Sequence, residues 1–212
     1  MLLIGSLMLQ LLALGDSYTI GESVPEAERW PVQLAALLAK RGVPLEPPVI
    51  IAKTGWTTDE LSAALAEQNP QGPFQLVTLL IGVNNQYRGR DAGNYREEFR
   101  ALLRQAVALA GGRSGRVIVL SIPDWGVMPV AEGRDRTRIT EEIDLFNRVG
   151  WEETTQAGAH YVDITPISRQ ARREPALIAD DMLHPSGQMY RLWAEKVLPQ
   201  ALEVLALSER GP

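Results

Sequence analysis

The chain has 212 residues, of which 21 are Lys or Arg and 26 are Asp or Glu, so its formal net charge is −5. Its lack of cysteine excludes disulfides, thiolate metal sites, iron–sulfur clusters and cysteine nucleophiles. The mild acidity argues against nucleic acid as a partner, because phosphate contacts need a basic surface. With only two histidines, a histidine-rich metal site is not expected, and we predict neither a metal nor a cofactor.

The first fifteen residues carry no charged side chain. This run is too short to cross a bilayer, which takes about 20 apolar residues, and it lacks the basic start and small-residue cleavage site of a signal peptide. We therefore expect a cytoplasmic protein without stable membrane insertion, whose first residues extend the first strand. A vestigial export signal is the alternative. Translation could start at Met1 or Met8, and residues 208–212 are expected to form a frayed tail.

Short apolar runs alternate along the chain with longer segments of helical periodicity. The predicted strands are 11–15, 48–52, 76–81, 117–122 and 160–164, and the predicted helices are 29–41, 58–68, 95–110, 138–157 and 186–205. Nearly continuous apolar character is typical of strands buried on both faces of a parallel sheet. Strand–helix alternation predicts one doubly wound α/β domain over residues 1–212, with a core of about 9–206.

In such a sheet, ligands bind outside the carboxyl ends of the strands. Polar or glycine-containing segments follow several of the predicted strands: Asp16-Ser17 after the first, Lys53-Thr54-Gly55 after the second and Gly82-Val83-Asn84 after the third. The segment from Asp181 to His184 is expected to follow the fifth strand and to open the last helix. These segments should meet at one edge of the sheet.

Ser17 has two interpretations. It could cap a helix, as serine often does, or it could be a nucleophile exposed on a strand-to-helix turn. A serine nucleophile needs an adjacent base, and only His160 or His184 could supply an imidazole. His160 lies at the amino end of an apolar strand, where a structural role is expected, whereas His184 lies in a polar loop.

The spacing Asp-x-x-His favours His184 as the base. One turn of chain can bring the Asp181 carboxylate to Nδ1 of the imidazole, which fixes the tautomer and leaves Nε2 for the serine. Asp181 could instead act as a helix cap, and Asp180 is a rival for the same role.

A serine that attacks a carbonyl creates an oxyanion, which needs two or three hydrogen-bond donors. The N–H groups of Ser17 and Gly55 and the side-chain amide of Asn84 would supply three donors from three strand ends. Considered singly, Gly55 could serve only to form a turn, and the Asn84 side chain could hydrogen-bond to the backbone of its own loop.

The four segments resemble, in order and spacing, the four sequence blocks of the SGNH hydrolase (GDSL-type esterase) family. Leu14-Gly15-Asp16-Ser17-Tyr18 is similar to the first block and Gly55 to the glycine of the second. Gly82-Val83-Asn84 matches the Gly-x-Asn of the third block, and the run from Asp181 to Pro185 matches the Asp-x-x-His-Pro of the last. The resemblance spans residues 14–185.

This resemblance implies a flavodoxin-like, three-layer α/β/α fold with strand order 2-1-3-4-5, and ester or thioester hydrolysis without a metal. One residue departs from the family's common pattern, and one stretch corresponds to a variable part of the family. Asn85 stands where many members have aspartate, and the stretch 123–136 corresponds to a loop that varies within the family. Rival motifs such as Gly-x-Ser-x-Gly, Gly-x-Gly-x-x-Gly and the P-loop are missing from the sequence.

The predicted function is therefore a serine esterase acting on a small-molecule ester. Ser17 is the predicted nucleophile, His184 the base and Asp181 its partner, with Gly55 and Asn84 in the oxyanion hole. Four residues near these segments are predicted either to line the substrate pocket or to pack as ordinary loop residues: Tyr18, Trp56, Tyr87 and Arg88. The lack of a long lid favours short acyl groups. Lysophospholipid or acyl-thioester hydrolysis and a non-catalytic binding module are the alternatives, and the oligomeric state is open.

Overall fold

Five parallel strands form one sheet in the order β2-β1-β3-β4-β5, which confirms the predicted topology. A computed structural model describes residues 8–209; the predicted extension of the first strand through residues 1–7 lies outside this range. The strands are β1 (Leu11–Gly15), β2 (Val49–Ala52), β3 (Leu76–Leu80), β4 (Val117–Leu120) and β5 (His160–Val162).

The central strands β1, β3 and β4 are buried along their whole length, as their apolar runs predict. The edge strands differ, because each has only one hydrogen-bonded neighbour. In β2 only Ile51 is fully buried, and in β5 only Val162 is. The buried centre of the sheet is therefore formed by β1, β3 and β4, and β1 leads directly to Ser17.

Helices cover both faces of the sheet. They are α1 (Ser17–Ile20), α2 (Trp30–Lys40), α3 (Thr58–Gln68), α4 (Val83–Tyr87), α5 (Ala92–Leu109), α6 (Arg136–Gln156), α7 (Thr165–Gln170) and α8 (Gly187–Glu209). The long helices form two groups: α2 packs on α8, while α5 packs between α3 and α6. This is the predicted three-layer α/β/α arrangement.

The chain between β5 and α8 departs from the prediction. The segment from Asp181 to His184 does not follow β5 directly, because α7 and a turn at Pro175–Leu177 intervene. The short, polar sequence of α7 has no apolar stripe that would predict it. Nor does the segment open the last helix, which begins at Gly187 and runs to Glu209, through part of the predicted tail.

The register of the sheet aligns the ends of three strands. Gly15, the last residue of β1, pairs with Ala52 at the end of β2 and with Leu80 at the end of β3. The chain therefore leaves these strands at the same level, and the segments that follow them enter a common space.

Candidate active site

Ser17 is held on a tight turn where β1 passes into α1. A side chain at Gly15 would place its Cβ in collision with the Leu80 carbonyl oxygen, so only glycine allows the chain to pass so close to β3. Asp16 caps α1, with its Oδ1 accepting from the Tyr18 N–H at 3.0 Å. The capping role considered for Ser17 thus belongs to Asp16. Over residues 8–209, neither the N–H nor the hydroxyl of Ser17 donates a hydrogen bond.

The loop of residues 177–186 brings a carboxylate to the His184 ring. The loop folds back on itself, because the Ala179 N–H donates to the His184 carbonyl at 2.8 Å and the Ser186 N–H to the Leu177 carbonyl at 2.9 Å. Within it, Nδ1 of His184 lies 2.5 Å from Oδ2 of Asp181. Since a carboxylate can only accept, Nδ1 carries the proton, and Nε2 of the neutral ring is left as an acceptor.

Both carboxylate oxygens of Asp181 have partners. Oδ1 accepts from the backbone N–H groups of Leu183 and His184, and Oδ2 also accepts from the Ser23 hydroxyl at 2.6 Å. Burial opposes ionisation of Asp181, but the hydrogen bonds from Ser23 and His184 outweigh it and hold the pKa of Asp181 well below its usual range. Asp181 is thus an anion with a fixed orientation beside the imidazole. Nothing in the sequence pointed to Ser23.

Ser17 and His184 line the same cavity, which has a volume of about 160 Å³. Both residues are nearly buried, at 5% and 7% exposure, and the Tyr18 ring packs edge-on against the His184 ring. The lining residues are Ser17, Tyr18, Thr54, Gly55, Val83, Asn84, Tyr87, Trp125, Val130, Arg134, Leu183 and His184. A candidate nucleophile and a candidate base therefore line one small cavity.

Gly55 and Asn84 reach this cavity from the ends of β2 and β3. Gly55 has φ +86°, a conformation that other residues rarely adopt, and its N–H makes no hydrogen bond within the described part of the chain. The Asn84 amide donates one of its two hydrogens to the Trp56 carbonyl at 2.9 Å, and the other is left for a ligand. With the Ser17 N–H, three donors without other partners line one cavity.

Helix α4 and Arg88, the residue that follows it, fasten the loop that carries Gly55. Arg88 donates to the Gly55 carbonyl at 2.7 Å and forms an ion pair with Glu60 at 3.3 Å. Asn85, fully buried, accepts from the Thr58 N–H at 3.1 Å and donates to the Thr58 hydroxyl at 2.7 Å. The asparagine that departs from the family's usual aspartate thus holds α3 to α4. These contacts fix the direction of the Gly55 peptide.

The four predicted pocket residues divide into two pairs. Tyr18 and Tyr87 line the cavity, whereas Trp56 and Arg88 do not. Trp56 is partly buried and packs against the core. The Arg88 guanidinium donates to the Gly55 carbonyl and forms an ion pair with Glu60. The remaining walls include Trp125, Val130 and Arg134, all from the variable stretch 123–136, for which the sequence offered no motif.

The rival residues lie elsewhere. His160 is the first residue of β5, at the end of the sheet opposite to the cavity, and its Nε2 is 3.1 Å from the Gly115 carbonyl. Asp180 is exposed and makes no hydrogen bond to His184. The geometry therefore favours His184 over His160 and Asp181 over Asp180.

Asp16 is buried directly beside Ser17. The residue is 1% exposed, its Oδ2 has no hydrogen-bond partner among the described residues, and burial raises the pKa of Asp16 to about 7. In the unfolded chain this carboxyl ionises near 3.8, so between about pH 4 and pH 7 the unfolded state loses a proton that the folded state keeps. The contribution of Asp16 to stability therefore falls as pH rises through this window.

We expect Asp16→Asn to remove this pH dependence while keeping the oxygen that caps α1. Relative to the variant, the wild type should lose on the order of a few kcal/mol of unfolding free energy between pH 4 and pH 8. Urea unfolding of both proteins at four pH values measures the difference. A difference that stays constant with pH would contradict the burial of a neutral carboxyl at this position.

Over residues 8–209, no group of three or more His, Asp or Glu side chains is arranged to hold a metal ion. In the same range, no helix is both long and apolar enough to cross a membrane.

The chain belongs to the GDSL-like Lipase/Acylhydrolase family, whose sequence model matches residues 13–192. It is therefore a carboxylic ester hydrolase of the GDSL type, a family that acts on small-molecule esters. Comparison with curated protein sequences finds no match.

Solved structures similar to this chain have the same fold at low sequence identity. TesA is 20% identical, with 92% of this chain and 99% of TesA covered and a TM-score of 0.72. Axe2, an acetylxylan esterase from Geobacillus stearothermophilus, is 21% identical, with 91% of this chain and 93% of Axe2 covered and a TM-score of 0.68. The psychrotrophic esterase EstA from Pseudoalteromonas sp. is 18% identical, with 93% of this chain and 98% of EstA covered and a TM-score of 0.65.

Proposed function

We propose that the protein is a serine esterase that uses Ser17, His184 and Asp181 as a catalytic triad on esters of short acyl groups. One observation carries this proposal: the imidazole of His184 is bonded through Nδ1 to Asp181 at 2.5 Å and lines the same cavity as Ser17. The bond leaves Nε2 of His184 as the base for the serine hydroxyl.

In the first half-reaction, Oγ of Ser17 attacks the ester carbonyl carbon while Nε2 of His184 takes the hydroxyl proton. The tetrahedral intermediate then expels the alcohol, which receives that proton from His184. Water repeats the sequence on the acyl-enzyme: His184 removes its proton, the hydroxide adds to the acyl carbon, and Ser17 leaves with the proton returned. Asp181 remains ionised and stabilises the imidazolium in both halves.

The N–H groups of Ser17 and Gly55 and the Asn84 amide form the proposed oxyanion hole. None of these three hydrogens has another acceptor among the described residues, so no bond must break when the oxyanion forms. The bonds from Arg88 to the Gly55 carbonyl and from Asn84 to the Trp56 carbonyl hold this loop in place beforehand. Donors fixed in advance stabilise the developing charge without reorganisation.

The size of the cavity supports a short acyl group. Its volume of about 160 Å³ is well below the roughly 300–1,000 Å³ typical of pockets for drug-sized ligands. The structural similarity to Axe2, which is named as an acetylxylan esterase, agrees with an acetyl ester.

We expect kcat/KM for p-nitrophenyl esters to be highest between acetyl and butyryl and to fall toward decanoyl and longer chains, because the walls of the cavity limit the acyl chain. Initial rates across the chain-length series, at one pH and below micelle-forming concentrations, measure this preference. A maximum at ten carbons or more would favour lysophospholipid or acyl-thioester hydrolysis. No turnover of any ester by folded protein would favour a non-catalytic binding module.

A further inference from the structure

Arg134 stands at the mouth of the catalytic cavity, stacked against two aromatic rings. Its guanidinium carbon lies 5.4 Å from the ring centre of Tyr87 and 5.4 Å from that of Trp125, and it donates to the Tyr87 hydroxyl at 3.3 Å. Trp125 is itself fixed by a hydrogen bond to Gln86 at 2.8 Å. An arginine held in this way loses little further freedom when it binds a ligand.

The charge of Arg134 is not neutralised. Within residues 8–209 it forms no ion pair with a carboxylate. No Asp or Glu lines the catalytic cavity, so Arg134 is the only permanently charged side chain in its described walls. The carboxylates of Asp181 and Glu22 hydrogen-bond to the lining residues His184 and Thr54, but neither lines the cavity or pairs with Arg134. The described wall of the cavity therefore presents one guanidinium that no carboxylate contacts.

Arg134 also lines a second, more open cavity of about 730 Å³ beside the first. The Val130 N–H donates to the Met182 carbonyl at 3.2 Å, so the loop that carries Arg134 is joined to the segment that carries Asp181 and His184. A molecule with its ester at Ser17 can thus extend past Arg134 into the larger space.

We propose that Arg134 binds an anionic substituent, a carboxylate or a phosphate, on the alcohol part of the ester. This inference rests on the proposed function, because it assigns the acyl group to the small cavity and the alcohol to the larger one. The second cavity is also lined by the carboxylates of Glu132 and Asp180 and by the guanidinium groups of Arg136 and Arg172, so these four charges offset one another. Arg134 is the one described charged side chain that lines both cavities, and the anion is therefore placed at their junction.

The test compares two acetyl esters that differ in charge, 4-acetoxybenzoate and methyl 4-acetoxybenzoate, with wild-type protein and Arg134→Met. The quantity measured is the ratio of kcat/KM for the anionic ester to that for the neutral ester. The change of this ratio between proteins is independent of the intrinsic reactivity of the two esters. We expect Arg134→Met to lower the ratio roughly 10- to 100-fold, as for loss of a charged hydrogen bond, and Arg134→Lys to lower it less. Acetoxyphenyl phosphate, assayed in parallel, distinguishes phosphate from carboxylate preference.

Arg173 provides the matched control. It lines neither of the two cavities, it carries the same charge, and it makes no ion pair among the described residues. Arg173→Met should change the ratio less than about twofold, because the proposal depends on the position of Arg134 and not on net charge. Equal effects of the two variants would overturn the proposal in favour of long-range electrostatics.

Failure of this proposal can be distinguished from failure of the proposed function. If wild-type protein hydrolyses the neutral ester but the ratio does not depend on Arg134, the proposal that Arg134 binds an anion is wrong, while the proposed esterase activity is supported. If neither ester is hydrolysed, calorimetry of 4-acetoxybenzoate binding to Ser17→Ala still tests the site. Binding that is at least tenfold weaker in Ser17→Ala/Arg134→Met supports it, and equal binding, or none, overturns it.

Discussion

Replacement of His184 by asparagine is expected to lower kcat for p-nitrophenyl acetate by about 10⁴- to 10⁶-fold, the usual loss for the base of a catalytic triad. Asparagine has no group that can take the Ser17 proton at neutral pH, so the serine is left as a weak nucleophile. Covalent labelling by a fluorophosphonate should fail for the same reason. Stopped and continuous assays with the purified variant, together with labelling followed by intact-mass measurement, give both results.

His160→Asn is the matched control, because it makes the same change at the other histidine. His160 contacts the Gly115 carbonyl at the amino end of β5, remote from the cavity, so its loss should affect stability at most. If folded His160→Asn is inactive while His184→Asn retains activity, the assignment of the base is wrong.

Asn84→Ala is expected to lower kcat by about 10²–10³, or ~2.7–4 kcal/mol, with little change in KM. The free amide hydrogen would bind the oxyanion more strongly than the neutral carbonyl. It would therefore stabilise the transition state more than the bound substrate, and its loss should lower kcat and not raise KM. Loss of the bond to the Trp56 carbonyl acts in the same direction, because that bond helps to hold the loop of Gly55. Steady-state kinetics on a short-chain ester separate kcat from KM.

Asn85→Ala gives a neighbouring comparison with a different expected result. Asn85 is fully buried and bonds both the backbone and the hydroxyl of Thr58, so its removal should cost about 1–3 kcal/mol of unfolding free energy. It lines no part of the catalytic cavity among the described residues, and its kinetic effect should be smaller than that of Asn84→Ala. A pure KM effect at Asn84, or equal losses of kcat at both positions, would remove Asn84 from the oxyanion hole.

The positions of the strands and of the long helices could be predicted because they follow from local periodicity, whereas the strand order 2-1-3-4-5 was expected from the resemblance to the SGNH hydrolase family. The apolar runs of β1, β3 and β4 match strands buried on both faces, and the stripes of α2 and α5 match helices packed on one side. Helix α7 was missed because six residues, Thr165–Gln170, are too few for a periodic pattern.

The candidate site was predictable where its contacts are local or fixed by the sheet. Asp181 and His184 are three residues apart, so one turn of chain is enough to join them. The contact between Ser23 and Asp181 spans 158 positions and depends on how two loops meet, which no spacing reveals. The positions of Arg134 and Trp125 were equally unpredictable, because only the path of their loop brings them to the cavity.

The division of the cavity walls among chain segments has a consequence for redesign. The reacting groups come from the ends of β1, β2 and β3 and from the loop 177–186, whereas Trp125, Val130 and Arg134 come from the single connection between β4 and α6. Among the described residues, the hydrogen bonds of this connection go to β5, α4, α6, α7 and the loop 177–186 and not to β1 or β2. Its exchange is therefore expected to leave unaltered the strand register that aligns Ser17 with Gly55. Grafting it alone into a distant relative should transfer alcohol selectivity while the chemistry of the host stays intact.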